Sequence, residues 1–431
     1  MSTQIAIQKS FLCLDSVYIN GAFGNVTLNT VLNKTPNQDK ALVTKIVYGV
    51  LDNDLWLDFC VRKFATKVDS SVLVLLKIGA YCITKLNLPS AVAVNDCVEV
   101  LKKQGKKGLS GFVNAVLRNI SRAYEKDDLV LPDDNMQAIS IKHSLPLWAL
   151  QKLKATVGEQ LAIDFACFKP TPRTTVRINE KINSVKEVQA FLDANDIRWQ
   201  QTFLPDALSV VGDTTLLTEN TACTPMSLSA MLVVRALEAK DGEKILDCCS
   251  APGGKSVYIA NLCPKADITS CDIYPHKLKL IEGYAKKMGA SNINVLLNDA
   301  TVSNKNFIDK FDKVLLDAPC SGFGVLQSRP DIKVFRKKQD VTELAKIQWK
   351  MLCVAKDYVK KGGNLLYSTC TVFEEENSKN IARFLNENHD FELLDLNVGL
   401  KTALPNKLGF QLLPNVHGID GFYIAKLKRK I

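Results

Sequence analysis

The sequence predicts a three-part α/β chain. Residues 1–143 form an all-helical region, 144–229 a small α/β segment, and 230–431 a doubly wound, mostly parallel sheet. Three observations predict it. Apolar residues recur at helical spacing through the first third, as in "QDKALVTKIVYGVLDNDLWLDFCVRKFA". Beyond about residue 230, short apolar runs alternate with helical segments, the pattern of a sheet covered on both faces. Between the two regions, Pro-bounded "KPTPRTTVRIN" reads as a strand and "SVKEVQAFLDANDI" as a helix.

A length of 431 residues suits two or three domains at roughly 150 residues each. The 47% apolar and 23% charged fractions are those of an ordinary globular protein. The longest apolar stretch, "SSVLVLLKIGAYCITKL", carries Lys77 at its middle, so it reads as a buried helix and not a membrane span. The start "MSTQIAIQKSFLCLD" lacks a basic region and a cleavage site, and no secretory signal is expected. Thirteen cysteines, an odd count, include no CxxC pair, and His143, His276, His389 and His417 lie far apart. No disulfide framework, no metal site and a reducing cytoplasmic compartment are therefore expected.

Net charge is +10 and is spread along the chain: 17 basic and 13 acidic side chains fall in residues 1–143, and 38 and 32 in the remainder. One segment is denser. "VLKKQGKKGLSGFVNAVLRNISRAY" (100–124) holds six basic residues and no acid, as phosphate contact requires, although a solvated helix face would look similar.

In order along the chain, "SSVLVLLKIGAYCITKL" and "AVAVNDCVEVLKK" continue the helical pattern, and the acids and proline of "DDLVLPDDN" read as a boundary. "LPLWALQKLKATVGEQLAIDFACF" reads as one amphipathic helix. The C-terminal strands are "EKILDCC", "DITSCDIY", "INVLLND", "FDKVLLDAP", "NLLYSTC" and "GFYIAKLKRKI". The intervening helices are those opening at "KSVYIANLC", "PHKLKLIEGYAKKMGA", "DVTELAKIQWKMLCVAKDYVKKGG" and "EENSKNIARFLNEN".

The loop "CSAPGGK" (249–255) joins the first of these strands to a helix. Its glycines allow close backbone approach, and helix N-terminal N–H groups face whatever binds there. It is neither GxGxxG nor a P-loop, which excludes a nicotinamide-dependent dehydrogenase. Asp272, 19 residues past Gly253, is placed to hold ribose hydroxyls. Asp299 and Asp317 end the next two strands; each alone could be a turn former, but three such acids on one sheet edge point to a ligand. A nucleoside cofactor without phosphates fits, and S-adenosylmethionine is the commonest.

Cys320 and Cys370 each follow a strand, in turns rich in Pro, Gly, Ser and Thr, whereas Cys82 and Cys353 lie within apolar periods and read as core. Two thiols near a methyl donor suit pyrimidine C5 chemistry, in which a thiolate adds at C6 and makes C5 nucleophilic.

"LDCCSAPGGKS", "DAPCSGFGVLQSRPDIK", "LLYSTCTVFEEEN" and "GIDGFYIAKL" together resemble the NOL1/NOP2/Sun family of RNA 5-methylcytosine methyltransferases. "QDKALVTKIVYGVL" and "GKKGLSGFVNAVLR" are similar to the NusB-like helical domain of its bacterial rRNA-modifying member, and "TTVRIN" fits the family's small RRM-like RNA-binding subdomain. The resemblance implies a Rossmann-like class I methyltransferase domain, S-adenosylmethionine as cofactor, and one cytosine of 16S rRNA as substrate, naked or in an early assembly intermediate. It implies a cytoplasmic monomer with no membrane or metal partner. Cys370 corresponds to the nucleophile and Cys320 to the cysteine that assists product release. Cys249, Ser250, Ala251, Pro252, Gly253, Gly254 and Lys255 match the cofactor loop. Asp272 corresponds to the ribose ligand, Asp299 to the adenine side, and Asp317 to a group between cofactor and cytosine. Lys255 is also expected to position the base. One departure stands out: the Gln-Asp pair that members carry before this domain is missing from "ACTPMSLSAM". A tRNA substrate and a non-catalytic assembly factor are the competing readings.

Two expectations concern electrostatics. A helix beginning directly after Cys370 would favour its thiolate, provided Glu374, Glu375 and Glu376 turn to solvent. Asp317, to bond an unprotonated ring nitrogen, would need to be protonated, as burial favours, or the base would need to bind protonated.

Overall fold

The computed structural model describes residues 3–22, 24–169, 173–212, 216–217, 221–403 and 408–431. The chain divides into two compact units: Met1–Cys167 with Leu326–Arg336, and Phe168–Val325 with Lys337–Ile431.

The first unit is helical. Helices Thr3–Asn20, Asn37–Asp52, Ser70–Thr84, Ser90–Lys103 and Ser110–Glu125 pack around a common core. Ser70–Thr84 lies at its centre, with Leu75, Leu76, Ile78 and Cys82 buried, each large apolar side chain contributing about 1.5–3 kcal/mol. Lys77 in this helix is buried because Asp54 accepts its ammonium and Asp58 lies 3.7 Å away. The "DDLVLPDDN" stretch is an internal joint: Asp134 caps the helix Asn135–His143, which stays with this unit. The expected single helix after it is two, Leu147–Val157 and Glu159–Cys167, because Gly158 adopts φ +88° between them. Both belong to the helical unit, as does the short helix Asp331–Phe335, whose Lys333 meets Asp52 at 2.6 Å.

The second unit holds two sheets. The smaller is antiparallel, in the order β2-β3-β1-β4, with β1 Thr174–Ile178, β2 Arg198–Gln201, β3 Ala207–Val211 and β4 Cys223–Pro225. Its helix Val185–Ala194 starts at a capping box between Ser184 and Glu187.

The larger sheet runs β10-β12-β9-β8-β5-β6-β7, with β11 beside β12. Its parallel strands are β5 Lys244–Asp247, β6 Asp267–Asp272, β7 Ile293–Leu297, β8 Phe311–Asp317 and β9 Val359–Thr369. Antiparallel β12 Tyr423–Arg429 pairs with β9, and β10 Phe391–Leu394 and β11 Phe410–Gln411 pair with β12. Strand order reverses between β5 and β8, the crevice where such sheets bind ligands. The long helix before β9 ends at Ala355, earlier than its periodicity predicts. Val359–Gly363 is strand instead, because Val359 pairs with Phe311 and Gly362, at φ +79°, breaks the helical pattern. Among the described residues no helix is long and apolar enough to cross a membrane.

Candidate active site

β8 and β9 run in register, Asp317 opposite Ser368. Their ends therefore reach one edge together, and the two cysteines that follow are brought into contact: Cys320 Sγ lies 3.1 Å from Cys370 Sγ. Both thiols are partly exposed. The loops that carry them are stitched together at Gly324, whose N–H donates to the Cys370 carbonyl at 2.9 Å and whose carbonyl accepts from Gly421 N at 2.8 Å. A Cβ at Gly324 would lie 1.9 Å from the Gly421 carbonyl oxygen, so only glycine permits this approach.

Lys255, in the first turn of the helix Gly254–Leu262, joins this edge from β5. Its Nζ donates to Asp317 Oδ2 at 2.5 Å and lies 5.7 Å from the centre of the Phe422 ring. Ser368 Oγ donates to Asp317 Oδ1 at 2.6 Å. Asp317 thus accepts at both oxygens, and the cationic donor of the site is Lys255. The sequence leaves open a donating Asp317 or a protonated base; here both Asp317 oxygens accept. Burial favours the neutral amine of Lys255, but the negative charges of Asp317, Asp247 and Cys370 outweigh it and hold the ammonium above the usual lysine range. Cys320 is held well above the ordinary thiol range, first by its hydrogen bond to Cys370, then by burial, then by the charges of Cys370, Glu376 and Asp317. The two thiols are within hydrogen-bonding distance, and either can donate to the other.

The glutamates do not behave alike. The helix after β9 begins at Ser378, not beside Cys370, and residues 374–377 form turns. Glu374 pairs with Lys379 at 2.5 Å on the surface. Glu376 is fully buried, and burial pushes its carboxyl up. A helix dipole therefore does not act directly on Cys370.

The cofactor-type loop hangs from the sheet. Ser250 N and Oγ donate to the Cys271 carbonyl at 2.8 and 3.1 Å, and Gly253 N to the Ser250 carbonyl at 2.7 Å. Ala251–Pro252 is cis. Gly253 adopts φ +108°, and a Cβ there would press on Ile281 Cα at 3.3 Å, whereas Gly254 faces open space. The Cys249 thiol is pushed well up, first by burial and then by the charges of Asp247, Asp272 and Asp317. Asp272 ends β6, nearly buried, its Oδ1 accepting from Tyr274 N at 3.2 Å. Asp299 stands two residues beyond β7, and its Oδ1 accepts from Thr301 N at 2.8 Å and Oγ1 at 2.7 Å, the hydrogen bonding of a turn former. In the stretch that lacks the Gln-Asp pair, Ser227 caps the helix Leu228–Leu237 and hydrogen-bonds Asp420, while Ser229 Oγ donates to the Asp420 carbonyl at 2.6 Å.

Sequence reasoning missed Asp247, although it ends β5 as Asp272 ends β6 and Asp317 ends β8. It is buried. Its Oδ2 accepts from Ser256 Oγ at 2.6 Å, and its Oδ1 has no partner. Burial pushes its carboxyl up to about 6. The folded chain then binds more protons than the unfolded chain between the ordinary aspartate value and about pH 6, so this group's contribution to stability falls as pH rises through that window. The full effect is about 3 kcal/mol. Relative to the parent, Asp247→Asn is expected to gain about 2–3 kcal/mol in urea unfolding between pH 4.5 and pH 7. A difference that does not change with pH would mean that the charge is not buried.

Among the described residues no group of three His, Cys, Asp or Glu side chains converges to hold a metal ion.

A family model described as "16S rRNA methyltransferase RsmB/F" matches residues 234–428, and one described as "NusB family" matches 6–122. A Bacillus subtilis protein named "Probable ribosomal RNA small subunit methyltransferase B" is 35% identical, over 95% of this chain and 96% of its own length. The Escherichia coli O7:K1 "Ribosomal RNA small subunit methyltransferase B" is 30% identical over 92% of each. The crystal structure of PH0851 shares the fold at a TM-score of 0.86, with 22% identity over 100% of this chain and 99% of that one. With a NusB match, a methyltransferase match and near full-length relatives in agreement, the chain belongs to the ribosomal RNA small subunit methyltransferase B family.

Proposed function

We propose that this chain methylates C5 of one cytosine in 16S rRNA through a covalent bond between Cys370 Sγ and C6 of the base. The observation that carries this reading is the pair of thiols 3.1 Å apart at the ends of adjoining strands, beside the Lys255–Asp317 pair. The cofactor is S-adenosylmethionine, which supplies an electrophilic methyl group on a sulfonium sulfur. The residues present fit it: a glycine cradle at 253–254, the carboxylate of Asp272 at a strand end, and the unpartnered buried Oδ1 of Asp247.

The chain's own residues do the rest. Cys370 adds as a thiolate to C6, forming a C–S bond and shifting ring electrons toward C5. Lys255 donates to the ring, and Asp317, fixed by Ser368, holds Lys255 in place. Adduct formation ties up the Cys370 lone pair and removes both its hydrogen bond and its charge from Cys320, including the largest cause of that thiol's raised proton affinity. Cys320 Sγ, 3.1 Å from the Cys370 sulfur, is the group placed to take the C5 proton in its thiolate form. Once C5 carries the methyl group, loss of its proton restores the ring double bond as the C–S bond breaks and Cys370 departs as thiolate.

RNA is held in part by the helical unit. Lys103, Lys107, Arg118 and Arg122 are exposed, with no acidic partner among the described residues, and Leu109 and Phe112 present apolar surface between them. Cations suit phosphates, and an exposed aromatic ring suits an unpaired base. The double variant Lys107→Ala/Arg118→Ala is expected to raise KM for RNA about tenfold at unchanged kcat, and to flatten the salt slope by about 0.7 per lost phosphate contact. An unchanged slope would move the RNA elsewhere.

The reading as a whole is tested by labelled methyl transfer to undermethylated small-subunit rRNA, with bisulfite sequencing of rRNA from a strain lacking the gene. Label in a single rRNA cytosine is expected. Label in tRNA, or none at all, favours the competing readings.

A further inference from the structure

Glu376 lies six residues past Cys370 but faces the other thiol's loop. Its Oε1 accepts from Ser321 N at 2.8 Å and Gln348 Nε2 at 2.9 Å, and its Oε2 from Ser321 Oγ at 2.5 Å. Ser321 Oγ also meets Thr371 Oγ1 at 2.7 Å, and Gln348 Nε2 donates to the Pro319 carbonyl at 2.9 Å. Both neighbours of Cys320, and the residue after Cys370, are therefore tied to one carboxylate and one amide. Ser321, Gln348 and Glu376 are all buried, and no cation pairs with Glu376 among the described residues. A buried carboxylate without a cation is costly, so a core that only needed filling would be better served by an apolar residue.

We propose that Glu376 is a positioning residue for product release: through Ser321 and Gln348 it holds the Pro319–Ser321 turn so that Cys320 faces Cys370. The inference rests on the covalent reading above. Glu376 acts through its neighbours and touches neither RNA nor cofactor. Its negative charge also contributes to keeping Cys320 protonated until the adduct forms.

The test follows the full chain with cofactor and RNA on a denaturing gel, reading the ratio of protein–RNA adduct to methylated product. Glu376→Ala is expected to raise that ratio about tenfold or more, toward the value for Cys320→Ala, because a turn displaced by an ångström can lose about a hundredfold in rate. Glu376→Gln, which keeps an acceptor for Ser321 N, stays within about threefold of the parent. Ser321→Ala deletes one hydroxyl without emptying the core and raises the ratio about threefold, so it decides the question should Glu376→Ala not fold. A merely structural role lowers adduct and product together and leaves the ratio unchanged. Parental ratios in Glu376→Ala and Ser321→Ala, with adduct trapped by Cys320→Ala, overturn this inference alone. No adduct from Cys320→Ala overturns the covalent reading beneath it.

Discussion

Cys370→Ala is expected to abolish methyl transfer, lowering the rate by about 10⁴-fold or more, because it removes the sulfur that bonds to C6. Cys320→Ala is expected to fail differently: it still bonds to RNA but releases product slowly, so a shifted protein–RNA band accumulates. The 3.1 Å contact makes the two variants informative as a pair. Cys320→Ala also removes the hydrogen-bond partner of Cys370, so its first addition should slow by about tenfold, the effect of one lost hydrogen bond at the reacting sulfur. Single-turnover measurements separate these steps. A trapped band from Cys370→Ala, and none from Cys320→Ala, would reverse the two roles.

Asp317→Ala is expected to damage both stability and catalysis. It strands the Lys255 ammonium, whose partner lies 2.5 Å away with side-chain exposures of 17% and 23%. Breaking a buried pair costs about 3–5 kcal/mol, and partial exposure trims this to about 1–3 kcal/mol. Because the Lys255 pKa is raised, the pair's contribution is complete below the ordinary lysine value and is lost only as pH rises through the higher folded value. The loss should therefore be fully visible at pH 7. Ser368 loses its acceptor as well, and Lys255 is free to swing from the base, so kcat/KM should fall about 10²–10³-fold. The double variant Asp317→Ala/Lys255→Met tests the cause. It removes the unpaired charge and should recover most of the thermal stability but none of the activity. A double variant no more stable than Asp317→Ala would show that the pair does not carry the energy.

The larger sheet was legible because strand and helix periods alternate plainly from Lys244 to Arg429. The loop at 249–255, Asp272, Asp317 and both cysteines were legible because each follows a strand of that sheet. Other features were not. The helix pattern before β9 runs on through "DYVKKGG", where only pairing to β8 makes a strand. Asp247 ends a strand like its neighbours, but "DCC" reads as the end of a core run. Glu376 looks like one of three solvated acids until Ser321, 55 residues earlier, is placed beside it.

Sequence alone determined which groups this protein can bring to a reaction: two thiols, a lysine and several carboxylates at strand ends. It did so because strand and helix periods, turn chemistry and motif spacing are local properties of the chain. Only the tertiary structure decided how those groups meet. The register of β8 against β9 places sulfur on sulfur, Asp317 accepts from both Lys255 and Ser368, and Glu376 turns inward to the Cys320 loop. Proton affinity depends on burial and on charges a few ångströms away, and those neighbours are assembled from segments far apart in sequence.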